Sequence, residues 1–250
     1  MEPTEEMKAQ IALWNKELKD KNPIGVIAFF LDHFGDEIVL STSLGLEDQV
    51  LTEMVMRQRR ITEVFTLDTG RLFPETYDLI ARTNKQYGIR MKTYFPEPAK
   101  VEEMVAKHGI NLFYDSLENR KMCCGIRKVA QLPRAFKDKK AWICGLRKDQ
   151  SVSRFFSKLV EWDENNYLVK INPLINWTEK QVWNYIKANN IPYNVLHDNG
   201  FPSIGCEPCT RAIEPGEDIR AGRWWWEHEA YKECGLHKRY WLPVNHTRTY

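Results

Sequence analysis

The sequence predicts an α/β fold, a parallel sheet with helices on both faces. Three observations lead there. Strand-like runs rich in Val, Ile, Thr and Phe alternate with longer helix-like runs between about residues 37 and 146. Pro opens and Gly closes several of the helix-like runs. Polar turns containing glycine fall where strands should end, the edge at which such sheets bind ligands.

The elements follow in order. Residues 4–20 form a polar amphipathic helix pattern, and Pro23 with IGVIAFFLDHF a second, closed by Gly35. EIVLST (37–42) reads as a strand and LEDQVLTEMVMRQR (46–59) as a helix. TEVFTLD (62–68) is a strand, and PETYDLIARTNKQY (74–87) a helix stopped by Gly88. IRMKTYF (89–95) is a strand, PAKVEEMVAKH (98–108) a helix, and KAWICGL (140–146) a further strand. Past about residue 155 the alternation fades. INPLINWTEKQVWNYIKANN (171–190) gives a short strand, then a helix capped by Thr178 with Glu179 in its first turn. Beyond Ile191 the chain is rich in loop residues.

Bulk properties narrow the class. A chain of 250 residues that is 43% hydrophobic can build one large domain, or a domain with a small appendage. A net charge of +2 gives no bulk attraction to nucleic acid or membrane. The polar, acidic start MEPTEEMKAQ argues against a signal peptide. Six cysteines are too sparse for a disulfide scaffold, so a reducing cytosol is expected, where clustered thiols mean metal or redox chemistry.

Three turns share one rim of the expected sheet: STSLG (41–45), LDTGR (67–71) and CGLRKDQSVSR (144–154). STSLGLED sets hydroxyls, a glycine and an acid between a strand and a helix, where backbone N–H groups suit an oxyanion. No Gly-Lys-Ser/Thr follows, so it is not a Walker A loop. It resembles the modified PP-loop of the Rossmann-like adenine nucleotide alpha-hydrolase fold. For any one turn, a glycine that merely ends a strand is the simpler reading; three together point to a site.

The cysteines raise their own question. KMCCGIRK places Cys123 beside Cys124, and a bridge between such neighbours is strained. Cys206-Glu207-Pro208-Cys209 is a CxxC in a loop, suited to a metal. An iron–sulfur cluster accounts best for the adjacent pair, because neighbours can bind different irons of one cube. Zinc and a CxxC disulfide remain open. Cys144, in an apolar run, is expected to pack. Cys234 in KECGLHKR has cations around it, which raise the thiolate fraction. It is either a nucleophile or an unimportant surface thiol. The run Trp224-Trp225-Trp226 is expected to pack the base of the C-terminal tail.

Taken together, STSLGLEDQV, TLDTGRLFPETY, CCGIRKVAQLPR, ICGLRKDQSVSR, INPLINWTEKQVW, GCEPCTRAI, GEDIRAGRWWWE and ECGLH resemble the sulfonucleotide reductases, in family order across roughly residues 38–237. Within them the chain is most similar to the assimilatory adenylyl-sulfate (APS) reductases. The resemblance implies that APS is reduced to sulfite and AMP, in sulfate assimilation and cysteine biosynthesis. Cys234 would attack the substrate sulfur and carry an S-sulfo group that thioredoxin or a similar dithiol removes. A [4Fe–4S] cluster would sit on Cys123, Cys124, Cys206 and Cys209. Ser41, Thr42, Ser43, Gly45, Asp68, Thr69, Gly70 and Arg147 would form the nucleotide rim. Lys128 would link cluster and substrate electrostatically, Arg220 and Arg223 would hold the phosphate and sulfate oxygens, which a guanidinium suits, and His237 would help hold the substrate or the tail. Residues 1–222 would form one nucleotide-binding domain with the iron–sulfur site, and 223–250 a mobile tail. A cytoplasmic homo-oligomer, dimer or tetramer, is implied.

The competing readings are a 3′-phosphoadenosine 5′-phosphosulfate (PAPS) or dual-specificity reductase, a PP-loop ATP pyrophosphatase, and a zinc-stabilised binding module. PAPS-specific members usually lack both cysteine pairs. STSLGLED lacks the paired glycines of the pyrophosphatase signature.

Overall fold

The computed structural model describes residues 2–58, 62–150, 154–228 and 232. Six strands among them form one sheet: β1 (Ile38–Thr42), β2 (Glu63–Leu67), β3 (Lys92–Tyr94), β4 (Ala141–Ile143), β5 (Val160–Asp163) and β6 (Leu168–Ile171). The spatial order is β3-β2-β1-β4-β6-β5. All neighbours are parallel except β5 and β6. The helices are α1 (Glu5–Glu17), α2 (Pro23–Phe34), α3 (Leu46–Arg57), α4 (Pro74–Tyr87), α5 (Pro98–His108), α6 (Leu117–Arg127), α7 (Leu132–Ala135) and α8 (Glu179–Ala188).

Local chemistry fixes the helix ends. Asn22 accepts a hydrogen bond from Gly25 N ahead of Pro23, and Ser116 accepts one from Asn119 N to open α6. Thr178 and Gln181 form a reciprocal capping box on α8. Gly88 ends α4 in the left-handed region at φ 65°, which a residue with a Cβ adopts only at a cost.

Strand periodicity assigns the two faces. Ile38, Leu40, Val64, Ala141, Ile143, Val169 and Ile171 pack with α1, α2, α3 and α8. Val39, Phe65, Trp142 and Leu168 point the other way, onto Leu132, Ala135 and Phe136 around α7. Each fully buried large side chain contributes roughly 1.5–3 kcal/mol by leaving water. A third cluster of Met104, Leu112, Phe113 and Trp224 includes Cys123 and Cys209.

Several expected boundaries shift. β4 stops at Ile143, so Cys144 lies just past the strand, buried, with its Sγ donating to Asn172 Oδ1 at 2.9 Å. Burial pushes its thiol up to about 12, as suits a packing residue. β3 is confined to 92–94. The β5–β6 hairpin was not expected. Its turn is held by the Asp163 carboxylate, which accepts from the backbone N of Asn165 and Asn166. Cys206 caps a 3-10 turn, Glu207–Cys209, so the CxxC loop is a tight turn. No helix among the described residues is long and apolar enough to cross a membrane.

Candidate active site

The chain runs β1, β2, β3 outward on one side, then places β4 on the other side of β1. The carboxyl ends of β1 and β4 therefore flank a topological switch point, where open α/β sheets bind ligands. A cavity of about 240 Å³ opens there, and all four cysteines of the two pairs line it.

At the end of β1, Ser41, Thr42, Ser43 and Gly45 line the cavity as expected. Their hydrogen bonds are largely internal. Thr42 Oγ1 accepts from Leu44 N at 2.9 Å, with Leu44 held at φ 63°. Ser43 N and Oγ both donate to Asp48 Oδ2, at 2.6 and 2.7 Å. Burial raises the Asp48 carboxyl to about 6, and the bonds from Ser43 oppose that rise. The loop is thus organised around an acid of its own helix. Gly145, at the end of β4, packs so close to α3 that an added Cβ would lie 2.4 Å from Asp48 Oδ1. Arg147 lines the same end but is paired with Glu47 at 2.6 Å and with Asp149.

The turn after β2 grips the CxxC loop. Thr69 Oγ1 and Cys206 Sγ share a hydrogen bond of 3.1 Å, and Glu207 N donates to Arg71 O. Asp68 and Gly70 do not line the cavity: Asp68 Oδ1 accepts from Gly70 N and from the Tyr77 hydroxyl, so they shape the turn.

Helix α6 carries Cys123 and Cys124 in its last turns, with Lys128 as its C-cap facing the cavity. Burial pushes the Cys123 thiol up, and Arg127 and Arg71 act against it. Burial likewise pushes the Cys209 thiol up, reinforced by the neighbouring sulfurs of Cys206, Cys124 and Cys123. The four thiols are thus near enough to feel one another. No three His, Cys, Asp or Glu among the described residues converge as a single-ion site. A lone zinc needs four ligands about 2.3 Å from one point, whereas a cube takes each thiolate at a separate iron. Four thiols lining one cavity are a donor set that a sulfur-bound iron group can use. Among the described residues the buried Trp224 Nε1 beside these thiols has no hydrogen-bond partner, which leaves a donor for a sulfur acceptor.

Arg220 and Arg223 reach the same cavity. Arg223 lies over Gly205, where a Cβ would come within 2.3 Å of Nη2. With Lys128 they make the cysteine end cationic, while Glu47 and Asp48 offset Arg147 at the other. A family profile described as "Phosphoadenosine phosphosulfate reductase domain" matches residues 37–212, more than half the chain. The chain belongs to that family.

Relatives of this phosphoadenosine phosphosulfate reductase family member include the adenosine 5′-phosphosulfate reductase of Allochromatium vinosum. It is 51% identical over 208 residues, covering 83% of this chain and 81% of the relative. The enzyme of the same name from Sinorhizobium fredii strain USDA 257 is 46% identical over 234 residues, covering 94% and 93%. Among solved structures, the phosphoadenylyl-sulfate reductase of Candida auris superposes with a TM-score of 0.71 at 29% identity, covering 85% of this chain and 99% of the other. Yeast FAD synthetase, at 15% identity and TM-score 0.53, shares the fold.

Cys234 and His237 lie outside the described residues. Within them, the sequence reading missed three arginines around the thiols. Arg71 donates to Ile110 O and Asn111 Oδ1; Arg127 donates to Thr69 O; Arg120 pairs with Glu227. Arg71 ends the LDTGR turn, and on α6 Arg120 stands four residues before Cys124 and Arg127 four after Cys123, spacings that put each on a cysteine's face. His197 was also missed. It lines the cavity, edge-on against Trp183 and beside the Phe201 backbone.

Proposed function

We propose that this chain reduces adenosine 5′-phosphosulfate to sulfite and AMP. The observation that carries the reading is the shared cavity at the switch point, with four cysteines and the cations Lys128, Arg220 and Arg223 at one end. The Cys234 thiolate attacks the sulfate sulfur. The bond from sulfur to the bridging oxygen breaks, and its electron pair leaves on the AMP phosphate. Lys128, Arg220 and Arg223 offset the repulsion between thiolate and sulfate and stabilise the charge developing on AMP. His237 helps hold the substrate or the tail. Ser41, Thr42, Ser43, Gly45, Thr69 and Arg147 frame the nucleotide, while Asp68 and Gly70 set the turn beneath it.

The S-sulfocysteine is then resolved by an external dithiol of the thioredoxin type. One thiolate attacks Cys234 Sγ and expels sulfite; the second thiol closes the dithiol into a disulfide and releases Cys234. The two electrons come from that dithiol. Cys123, Cys124, Cys206 and Cys209 would hold a [4Fe–4S] cluster, which when bound supplies a fixed field beside the sulfate rather than electrons. Residues 1–222 act as the nucleotide-binding body and 223–250 as the tail that delivers the nucleophile, in a cytoplasmic homo-oligomer.

The test is mass spectrometry of protein mixed with APS in the absence of reductant. One SO₃ group is expected on Cys234, and the Cys234→Ser variant should carry none. Full sulfite production by Cys234→Ser would end the proposal. Sulfite release from APS and PAPS at matched concentrations decides the substrate, with faster turnover of PAPS reversing the assignment.

A further inference from the structure

One ion pair joins the two cysteine-bearing segments and the start of the tail. Arg120 and Glu227 are 1% and 7% exposed. Their contact is bidentate: Nε to Oε1 at 2.8 Å and Nη2 to Oε2 at 2.7 Å. Arg120 lies on α6, one helical turn before Cys124, and reaches the Cys124 sulfur. Glu227 closes a strap that is stitched to the CxxC loop through backbone bonds. Arg211 N donates to Gly222 O, and Trp224 N to Cys209 O at 3.1 Å. Gly222 makes that approach possible, since a Cβ there would sit 2.2 Å from Arg211 O. Between strap and helix lies Trp224, held at φ 41°, with the guanidinium groups of Arg120 and Arg223 each 4.6 Å from its ring centroid. A bulky residue at positive φ persists only where its surroundings dictate it.

We propose that the Arg120–Glu227 pair is a positioning device for the nucleophile: it sets where, and in which direction, the tail leaves the cavity wall toward Cys234. This rests on the reading of Cys234 given above. Glu227 stands seven residues before Cys234. Among the later anchors in the described chain, Lys232 Nζ donates to Ala221 O at 3.4 Å, and Arg220 Nη2 donates to Lys232 O at 2.8 Å. The latter uses a guanidinium assigned to the anionic substrate, so nucleotide binding competes with it. The Glu227 anchor uses no substrate-binding group and persists when the anion is bound. Its effect is directional. If Glu227 let go, the tether would start at Trp224, ten residues before Cys234. Lengthening a tether that little lowers the encounter frequency by less than about twofold. A larger loss reports direction, because a misplacement of about 1 Å can cost on the order of 100-fold in rate.

The experiment uses the full-length, iron-loaded protein mixed with APS without reductant. It reads the rate of SO₃ transfer to Cys234, the iron content and the affinity for AMP. In Glu227→Gln, transfer should slow fivefold or more, with iron content unchanged and AMP affinity within twofold of wild type. Glu227→Asp, which keeps the charge on a shorter stem, should recover part of the rate. If Glu227→Gln proves insoluble, Glu227→Asp carries the test, with slower transfer at unchanged iron content expected. A transfer rate within fivefold of wild type in Glu227→Gln, or equal to it in Glu227→Asp where that variant stands alone, overturns the proposal. So does a parallel loss of iron or AMP binding, which would make the pair a general support of the site. If the wild-type protein itself forms no adduct, the role of Cys234 fails, a result distinct from failure of the pair.

Discussion

Gly145→Ala is the sharpest probe of the switch-point geometry. The new Cβ would lie 2.4 Å from Asp48 Oδ1, 2.8 Å from Glu47 Cβ and 3.2 Å from Asp48 N. Carbon atoms pack best at about 3.5–4.0 Å, so the overlap is on the order of 1 Å. Neither neighbour can swing aside freely. Asp48 is tied by Ser43 N and Oγ at 2.6 and 2.7 Å, and Glu47 by Arg147 at 2.6 Å. The strain must move the N-terminus of α3 away from the end of β4, which widens the crevice. Overpacking of this kind costs about 1–3 kcal/mol. At about 2–4 °C per kcal/mol for a chain of this size, Tm should fall by roughly 2–12 °C. Because the displaced loop is the proposed nucleotide rim, kcat/KM for APS should fall on the order of tenfold. Differential scanning fluorimetry and a sulfite-release assay measure both. A variant with wild-type Tm and kcat/KM would refute the close approach of β4 and α3, and with it the placement of the crevice.

Other outcomes follow from the same geometry. The folded-state carboxyl of Asp48 is raised from its usual 3.8 to about 6, so the stability it contributes is complete below about pH 4 and is lost as pH rises through about 6. That change amounts to about 3 kcal/mol, and Asp48→Asn should flatten this part of the denaturant-midpoint profile; an unchanged profile would show that Asp48 titrates normally. Cys209→Ser should lower bound iron, measured by metal analysis of anaerobically prepared protein, and lower Tm as well, because Cys209 packs with Met104, Phe113 and Trp224. Iron content equal to wild type would remove Cys209 from the ligand set. Trp142→Ala, deleting a side chain 1% exposed between Phe136 and the sheet, should cost about 3–5 kcal/mol in urea denaturation.

How much of this was legible in the sequence depends on the range of each interaction. The parallel strands β1 and β2 and helices α4 and α5 announce themselves through local pattern: apolar runs, Pro at the start, Gly88 and Gly109 at the ends. The β5–β6 hairpin hides for a specific reason. Lys170, in the middle of β6, is only 8% exposed and interrupts the apolar run. Its ammonium lies 5.6 Å from the Trp142 ring centroid and 3.8 Å from Glu161. Residues from other strands thus let a lysine occupy a buried strand position, and Trp142 lies 28 residues away, beyond any local window.

The same distinction separates the two halves of the candidate site. The cysteine end is legible because its chemistry is carried by residue types with few other uses: adjacent thiols and a CxxC restrict the ligands they can hold. The nucleotide end is less so. Ser41, Thr42, Ser43 and Gly45 read as an open oxyanion cradle, yet the structure gives the Ser43 amide and hydroxyl to Asp48 and the Thr42 hydroxyl to Leu44. Hydroxyls are ambiguous in sequence, since each can turn outward to a ligand or inward to its own loop. An acid buried behind the loop also makes this end a poor place for a second anionic group. Cations and anion-binding capacity are concentrated instead around Lys128, Arg220 and Arg223, more than 80 residues downstream of the loop. On the proposed function, the division would set the charged sulfate beside the sulfurs and leave the uncharged nucleoside to the switch-point crevice. That is the polarity required for Cys234 to meet the sulfur atom rather than the sugar.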